Sequence, residues 1–420
     1  MTPSNSTIPS VAIVGMGGYA NHHRNALRRA VDGGRAVHAA QVALPSDLEA
    51  FADELREMHE AGIAIYDSLR ELLAAERSKL DLVTVPTGIP LHRVMTTAIL
   101  EAGCNVLVEK PAAGCIQDVD AMIRARDAAR RHAFVGFQHI YRAAAHELKA
   151  ELLSGRFGTV ERVRGFSCWP RPATYYERNG WAGELAAGDT WVLDGPHNNA
   201  NAHSVNFLCF LAGSTASASA LPVSIRAELY RAKPIRTADT VSMRVQTAEG
   251  VEVCFVASHS TEENVNPRFA VDTEYAVLEI GDDAAVTAAW RDERPDEELT
   301  SAAQVLEASS VEGAIARVGG DASAPVCELD VARAQTLCAS GSFESSPIHE
   351  LPAMLQVEGP GGAVAIDGMS AAVQAAFAEG KNFGDLGLDW ATAGAEIDLV
   401  GYDYFPTFRS QRIGNDAPPR

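Results

Sequence analysis

The feature that most limits what this chain can fold into is an alternation in its first third. Short apolar runs end in turns of glycine, proline or polar residues, and each turn opens a stretch with helical spacing. Val11-Ala12-Ile13-Val14 leads into Gly15-Met16-Gly17-Gly18-Tyr19-Ala20 and a helical pattern through Ala30. Val37 to Leu44, Ile63 to Tyr66, Leu80 to Val85, Val106 to Pro111 and Ala133 to Phe137 repeat the scheme. Helices are expected over Asp47 to Glu60, from the cap Ser68 to about Lys79, from the Pro86 turn to Ala102, and over Asp118 to His132. Apolar strands separated by helices pair in parallel and are buried on both faces. A doubly wound, Rossmann-type α/β domain is therefore expected over residues 1–137.

In such a sheet ligands collect outside the carboxyl ends of the strands, so the turns there carry the information. The first turn satisfies G-x-G-x-x-G/A. Gly15 permits the tight turn, Gly17 lets the backbone approach a pyrophosphate, and Ala20 is small enough for the helix to pack on the strand. The helix N-terminus would offer its unpaired N–H groups to the phosphates. The plainer alternative is a glycine-rich turn without a ligand. His22 and His23 read as surface or packing residues of the helix. At the end of the second strand, where dinucleotide folds carry an acid for the ribose, stands Ala43-Leu44-Pro45-Ser46-Asp47, which selects neither NAD nor NADP.

Val106-Leu107-Val108-Glu109-Lys110-Pro111 is a second informative turn, because an apolar strand that runs into an acid and a lysine is hard to explain by packing. Pro111 fixes φ and biases Lys110 to an extended backbone, which holds it in one orientation. A solvated ion pair capping a strand end is the alternative.

Beyond Gln138 the rhythm changes. A helix over Ala144 to Ser154 precedes candidate strands at Thr159 to Cys168, Ser224 to Ala232, Thr240 to Thr247, Val251 to Ser258 and Tyr275 to Ile280, with a hairpin-like junction at Glu249-Gly250. Helical patterns near Val331 to Ser340 and Met369 to Glu379 bracket a strand at Met354 to Val357. The pattern predicts a second, mainly antiparallel α/β domain over residues 138–420. Residues 281 to 324 offer little pattern, and the first ten residues and Asn415 to Arg420 read as disordered.

Composition narrows the function classes. With 47% hydrophobic and 21% charged residues and no apolar run of membrane length, a soluble protein is expected. The first ten residues lack the basic and apolar regions of a secretory signal, which points to the cytoplasm. Seven cysteines are scattered without a Cys-x-x-Cys pair, so neither a metal site nor a redox motif is expected. A formal charge of -20 disfavours nucleic acid and anionic membranes as partners.

The ordered set Gly15-x-Gly17-x-x-Ala20, Pro86-Thr87 with His92 five residues on, Glu109-Lys110-Pro111 and Gly136-Phe137-Gln138 resembles the glucose-fructose oxidoreductase and inositol dehydrogenase (Gfo/Idh/MocA) family. The resemblance covers roughly residues 10 to 215 by motif and extends more loosely to about 405. It implies a Rossmann domain followed by an α/β domain with a large open sheet, and hydride transfer between NAD or NADP and a sugar, polyol or related hydroxy compound. It implies a cofactor site at Gly15, Gly17, Gly18, Tyr19, Ala20, Pro86, Thr87, His92, Glu109, Lys110 and Gln138, with Lys110 beside the nicotinamide. It also implies a homo-oligomer, a dimer or tetramer, formed through the C-terminal sheet.

The family's second signature is D-x-G-x-H at a helix start, about ten residues before a terminating glycine. Counting back from Gly213, its histidine is His203, and Asn199 stands where the family usually has aspartate. At i and i+4 the two would share one face of a helix. Asp194-Gly195-Pro196-His197 is a rival pair, one residue short in spacing and interrupted by a proline. Chemically, His203 would take the proton released on alcohol oxidation and Lys110 would stabilise charge on the reacting oxygen. Arg171, with Trp169, Tyr175, Tyr176, Trp181 and Trp191, would line a sugar-sized pocket. Two other readings remain open: a regulatory protein that binds a dinucleotide without turnover, and an enzyme that uses the nicotinamide transiently during elimination or hydrolysis.

Overall fold

A computed structural model describes residues 8–45, 47–281, 285–300 and 309–408. Of the disorder expected for the first ten residues and for 415–420, residues 1–7 and 415–420 lie outside the described residues, while Pro9 is buried and Ser10 opens the first strand, against the expectation. The chain divides into two compact units. The first draws its described residues from Met1–Ala113, Asp118–Ala143 and Glu307–Ala332, the second from Gly114–Gln117, Ala144–Leu306 and Arg333–Arg420. Residues 307–332 thus group with the first unit, after the stretch that forms most of the second.

The first unit begins with β1 (Ser10–Val14), α1 (Ala20–Asp32), β2 (Val37–Val42), α2 (Asp47–Ala50), α3 (Ala52–Glu60), β3 (Ala64–Tyr66), α4 (Leu69–Glu76), β4 (Leu82–Val85), α5 (Ile89–Glu101), β5 (Asn105–Val108), α6 (Ile116–Ala129) and β6 (Ala133–Val135). Its six strands pair in parallel in the order β3-β2-β1-β4-β5-β6, the doubly wound sheet expected from the βα repeats. β4 is buried along its whole length, as a strand covered on both faces must be. Ser68 caps α4, its hydroxyl accepting the Glu71 N–H at 3.3 Å. The single helix expected over Asp47 to Glu60 is instead broken at Phe51, whose backbone (φ -122°, ψ 24°) leaves the helical region. Leu48 is exposed and Leu55 carries the burial of that segment.

The second unit contains α7 (Ala143–Leu153), β7 (Val160–Cys168), α8 (Ala173–Tyr176), β8 (Ala186–Ala187), β9 (Thr190–Trp191), α9 (Ala202–Ala212), β10 (Pro222–Arg231), β11 (Thr240–Thr247), β12 (Glu252–Ser258), β13 (Val265–Thr273), β14 (Ala276–Ile280), β15 (Val286–Trp290) and β16 (Glu297–Thr300). After α10 (Ser310–Val318), which belongs to the first unit, follow α11 (Leu329–Ser345), β17 (Ile348–Glu350), β18 (Gln356–Glu358), β19 (Val364–Ile366), α12 (Met369–Glu379) and β20 (Ile397–Asp398). The large sheet runs β16-β15-β14-β13-β7-β12-β11-β10-β17, with β20 also on β10. Its pairs are antiparallel except β7 with β12 and β10 with β17. Leu208 of α9 and Phe269 close over Gly165, where a Cβ would meet each at 3.0 Å. On the opposite face Phe166, Cys168 and Val256 pack with Met369, Val373 and Ala376 of α12. The sheet is thus covered on both faces around β7 and β12. On the α12 side Val277, Glu279, Thr287 and Ala289 of β14 and β15 stay partly or fully exposed.

Among the described residues, β15, β16 and α10 are the elements that the weak pattern of residues 281 to 324 concealed. Val311, Ala314 and Ile315 pack beside α1 against Val11, Ile13, Leu82, Leu107 and Phe134 in the core of the first unit. Gly313 permits this close approach, since a Cβ there would meet the Tyr141 ring at 2.6 Å.

Candidate functional site

In the first unit the functional side chains grow from the carboxyl ends of β1, β4, β5 and β6. Gly15 and Gly18 adopt positive φ (101° and 58°), a conformation that side chains resist. Buried Gln41 ties this turn to β2 by donating to the carbonyls of Gly15 at 2.8 Å and Val42 at 3.0 Å. α1 begins after Tyr19 with no side-chain cap and no acid in its first turn, and the N–H groups of Ala20, Asn21 and His22 turn onto the carbonyls of Gly17, Gly18 and Tyr19 at 3.2, 3.3 and 3.0 Å. Phe51 lies across Gly17, 3.5 Å from where a Cβ would stand. Asp47, the nearest acid after β2, accepts the Leu44 N–H at 3.0 Å.

The lysine turn is anchored to the same place. Buried Glu109 receives the His23 ring nitrogen Nε2 at 3.0 Å on one oxygen and the Lys110 N–H at 3.1 Å on the other. His23 projects from the second turn of α1, so the end of β5 and the start of α1 are locked together. Gly136 makes room for this pair, because a Cβ there would lie 2.4 Å from a Glu109 oxygen. Lys110 itself is half-buried. Gln138 donates to the Tyr19 hydroxyl. Burial, with Glu109 nearby, raises the tyrosine pKa, and the Gln138 bond opposes that shift. His92 is wholly enclosed, with Nδ1 2.8 Å from the Pro111 carbonyl and Nε2 3.0 Å from that of Thr87. Burial lowers its pKa against the pull of those carbonyls and of Glu109, and a neutral ring donates to only one of the two carbonyls while it packs between the Pro86-Thr87 loop and the lysine turn.

In the second unit the candidates gather on the irregular chain between β7 and α9. Arg171 stacks between Trp169 and Tyr175, with ring centroids 5.1 and 4.8 Å from its guanidinium carbon, and Arg178 covers Tyr175 at 3.9 Å and Trp181 at 5.4 Å. Asp194 is buried. Its carboxylate accepts the Gly183 N–H at 2.7 Å and the Asn199 amide at 2.6 Å, and it lies 3.5 Å from Arg178. The two residues that the sequence offered as rival partners of a histidine are therefore bonded to each other. Asn199 does not share a helix with His203, because α9 starts only at Ala202. His203 is nevertheless distinctive: every other residue of α9 is fully buried. His197 lies in the interior, 2.7 Å from the Ser342 hydroxyl and stacked on Phe343, and burial pushes its pKa down to about 3.

Sequence reasoning took His23 for a surface or packing residue and passed over Arg178 and His259. His259 is buried, with Nδ1 3.1 Å from the Tyr176 hydroxyl. Burial, reinforced by Arg171, Lys233 and Arg178, holds its pKa well below the ordinary value. Its signal was Ser258-His259-Ser260 at the end of an apolar strand, the same kind of break that exposed Lys110. Trp191 packs edge-on against Phe405. Among the described residues no cluster of His, Cys, Asp or Glu has the arrangement of a metal site.

Residues 10–137 match the model of the Gfo/Idh/MocA oxidoreductase family with an NAD-binding Rossmann fold, and residues 145–279 match the model of that family's C-terminal domain. The chain belongs to the Gfo/Idh/MocA family. Solved structures of similar fold include the WlbA dehydrogenase from Bordetella pertussis in complex with NADH and UDP-GlcNAcA, at 21% identity over 80% of this chain and 96% of that one, with a TM-score of 0.64. An aldose-aldose oxidoreductase from Caulobacter crescentus complexed with glycerol matches at 20% identity, 80% and 98% coverage and a TM-score of 0.60. UDP-N-acetylglucosamine 3-dehydrogenase from Acidithiobacillus ferrooxidans matches at 18%, 79% and 95%, and 0.59. No curated protein matched in sequence. As a Gfo/Idh/MocA member the chain is an oxidoreductase with an NAD-binding domain, and the glycine turn described above lies within the matched segment.

Proposed function

We propose that the protein transfers hydride between NAD or NADP and a hydroxyl or carbonyl of a sugar, polyol or sugar derivative. The observation that carries this reading is the Glu109–His23 bond, which fixes the lysine turn to the helix that opens behind the glycine turn. The first unit fits a dinucleotide. Its two positive-φ glycines leave the turn bare, and the uncapped α1 N-terminus suits a pyrophosphate. Tyr19, Ala20, Pro86, Thr87 and Gln138 would complete that site. When bound, the nicotinamide supplies the hydride acceptor or donor. The second unit is then the substrate-binding unit, a role that suits its aromatic and arginine-rich segment and agrees with the sugar ligands and substrates in the names of the similar structures.

Within that reading Lys110 donates a hydrogen bond to the reacting oxygen and stabilises negative charge on it as a hydride departs. His203, the partly accessible histidine on an otherwise buried helix, takes the hydroxyl proton. Asn199, held by Asp194, is a positioning group in the turn before that helix. The protein works in the cytoplasm as a homo-oligomer. Since α12 occupies part of one sheet face, the exposed residues of β14 and β15 are one surface of that face open to association.

The test is a screen of sugars and polyols with NAD+ and NADP+, read by reduced nicotinamide absorbance and by product analysis. Net reduction coupled to substrate oxidation is expected. Product formation without net reduced nicotinamide would favour transient use of the cofactor, and tight dinucleotide binding without any turnover would favour a regulatory protein.

A further inference from the structure

Arg171 stands apart from the other charges around it. Asp194 is engaged by Gly183, Asn199 and Arg178. Asp239 accepts the N–H groups of Ala232 and Lys233 at 2.8 and 3.0 Å and the Thr240 hydroxyl at 3.0 Å. Lys233 spends its ammonium on the His259 carbonyl, the Ser260 hydroxyl and the Val364 carbonyl. Arg171 is paired with no acid among the described residues, and its Nε is buried without a hydrogen-bond partner. Beside it the backbone joins Arg171 to His259, N–H to carbonyl at 3.1 Å, and the buried His259 Nε2 likewise has no partner. A guanidinium clamped between aromatic rings keeps its planar fork fixed; Arg171 is only partly buried, and its enclosed Nε leaves a donor unsatisfied that a bound acceptor would meet.

We infer that the substrate of this site bears an anionic group, a carboxylate or a phosphate, and that Arg171 receives it. The inference rests on the sugar oxidoreductase reading for the identity of the ligand's body, while the anion preference stands on the side chains of the second unit alone. Arg178, already shared with Asp194, adds positive field without being the principal partner. The neutral ring of His259 next to this pair can donate or accept one hydrogen bond without adding charge.

The test compares, for several hexoses, the neutral sugar, the corresponding uronate and the 6-phosphate. Each is titrated against the full chain with NADH present and followed by tryptophan fluorescence and melting temperature. NADH affinity is measured separately from its own fluorescence. Tighter binding of an acidic member than of its neutral counterpart is expected, by roughly tenfold or more, as loss of a charged hydrogen bond implies. A preference for uronates assigns the group as a carboxylate, and a preference for 6-phosphates assigns it as a phosphate. Arg171→Met should erase the preference while keeping NADH affinity, and Arg171→Lys should retain part of it. The inference is overturned if neutral sugars bind as tightly as acidic ones, if Arg171→Met keeps the preference, or if no acidic sugar registers while NADH binds. An acid preference in a protein that binds no NADH would uphold the anion site and remove the oxidoreductase reading instead.

Discussion

The glycine-turn end of the first unit and the aromatic segment of the second are built on opposite plans. In the first, Gly15, Pro86, Glu109 and Gly136 each follow directly on a buried strand, so the β ladder sets where their backbone stands and side chains such as His23 and His92 brace what it places. In the second, residues 169–201 carry little regular structure, and side chains position one another: Asp194 holds Gly183 and Asn199, and Trp169 and Tyr175 hold Arg171. Groups placed by a ladder should respond to substitution independently. Groups placed by a network should couple strongly, because each one removed releases its partners.

The largest effect expected on the ladder side comes from Gly17→Val. The added side chain would fill the space that a pyrophosphate needs, and its first atom would meet Phe51 at an ordinary 3.5 Å. Binding of NAD(H) and NADP(H) should disappear by calorimetry while circular dichroism stays that of the parent. Unchanged affinity would mean that the turn does not hold the dinucleotide.

Lys110→Met should come next. Loss of one preorganised donor lowers kcat by on the order of a hundredfold or more, and NAD(H) affinity should hold, because the backbone of this turn is fixed by Glu109 and His92 rather than by the lysine side chain. The matching substitution in the second unit is His203→Ala, for which a loss of similar size is expected together with loss of a histidine limb from the oxidative pH profile. Asn199→Asp would set a second carboxylate against Asp194, where the amide now bonds at 2.6 Å, so one of the two acids should hold a proton. A limb that merely moved to higher pH, with no effect on folding, would break the claim that the network is coupled.

The same contrast governs what could be read from the sequence. β1, β4, β5 and β6 and their turns were legible because each is a local pattern with its function attached at the end. β13 was not, since Pro267 interrupts it. The structure accommodates that proline at an irregularity of register between Val265 and Arg268, a place where a strand tolerates a missing donor. α10 was missed because its apolar face matches a core assembled from Val11 to Phe134, far earlier in the chain, and nothing local announces that partnership. In the second unit the residue types of the site were recognisable, but the Asp194–Asn199 bond and the burial of His197 are tertiary facts. Spacing had made Asn199 and His203 neighbours on a helix that in fact begins after Asn199.

His197 offers a thermodynamic check on that assignment. In the unfolded chain its ring takes a proton below its ordinary pKa of 6.5, whereas in the fold it does so only near pH 3. Between those values the unfolded state binds more protons, so stability is lost as the pH falls from about 6.5 towards 3, by about 2 kcal/mol at about pH 5 from this residue. His197→Gln should reduce the difference between urea stabilities at pH 7 and pH 5 by about that amount, while kcat at pH 7 changes only a few-fold. A collapse of kcat with acid sensitivity untouched would transfer the proton-accepting role from His203 to His197.

The smallest effect should come from the ion pairs that accompany α10 in the first unit. Glu312 meets Arg29 at 3.1 Å and Arg35 at 2.8 Å, yet both arginines are more than half exposed. Exposed pairs of this kind contribute at most about 1 kcal/mol and are screened by salt, whereas Val311, Ala314 and Ile315 are buried against the sheet whatever the ionic strength. Glu312→Gln should therefore lower stability by less than about 1 kcal/mol at low salt, and the difference should vanish near 1 M salt. If the loss were several times larger and survived high salt, charge rather than apolar burial would hold this helix. The first unit would then contain a network of the kind otherwise assigned to the second.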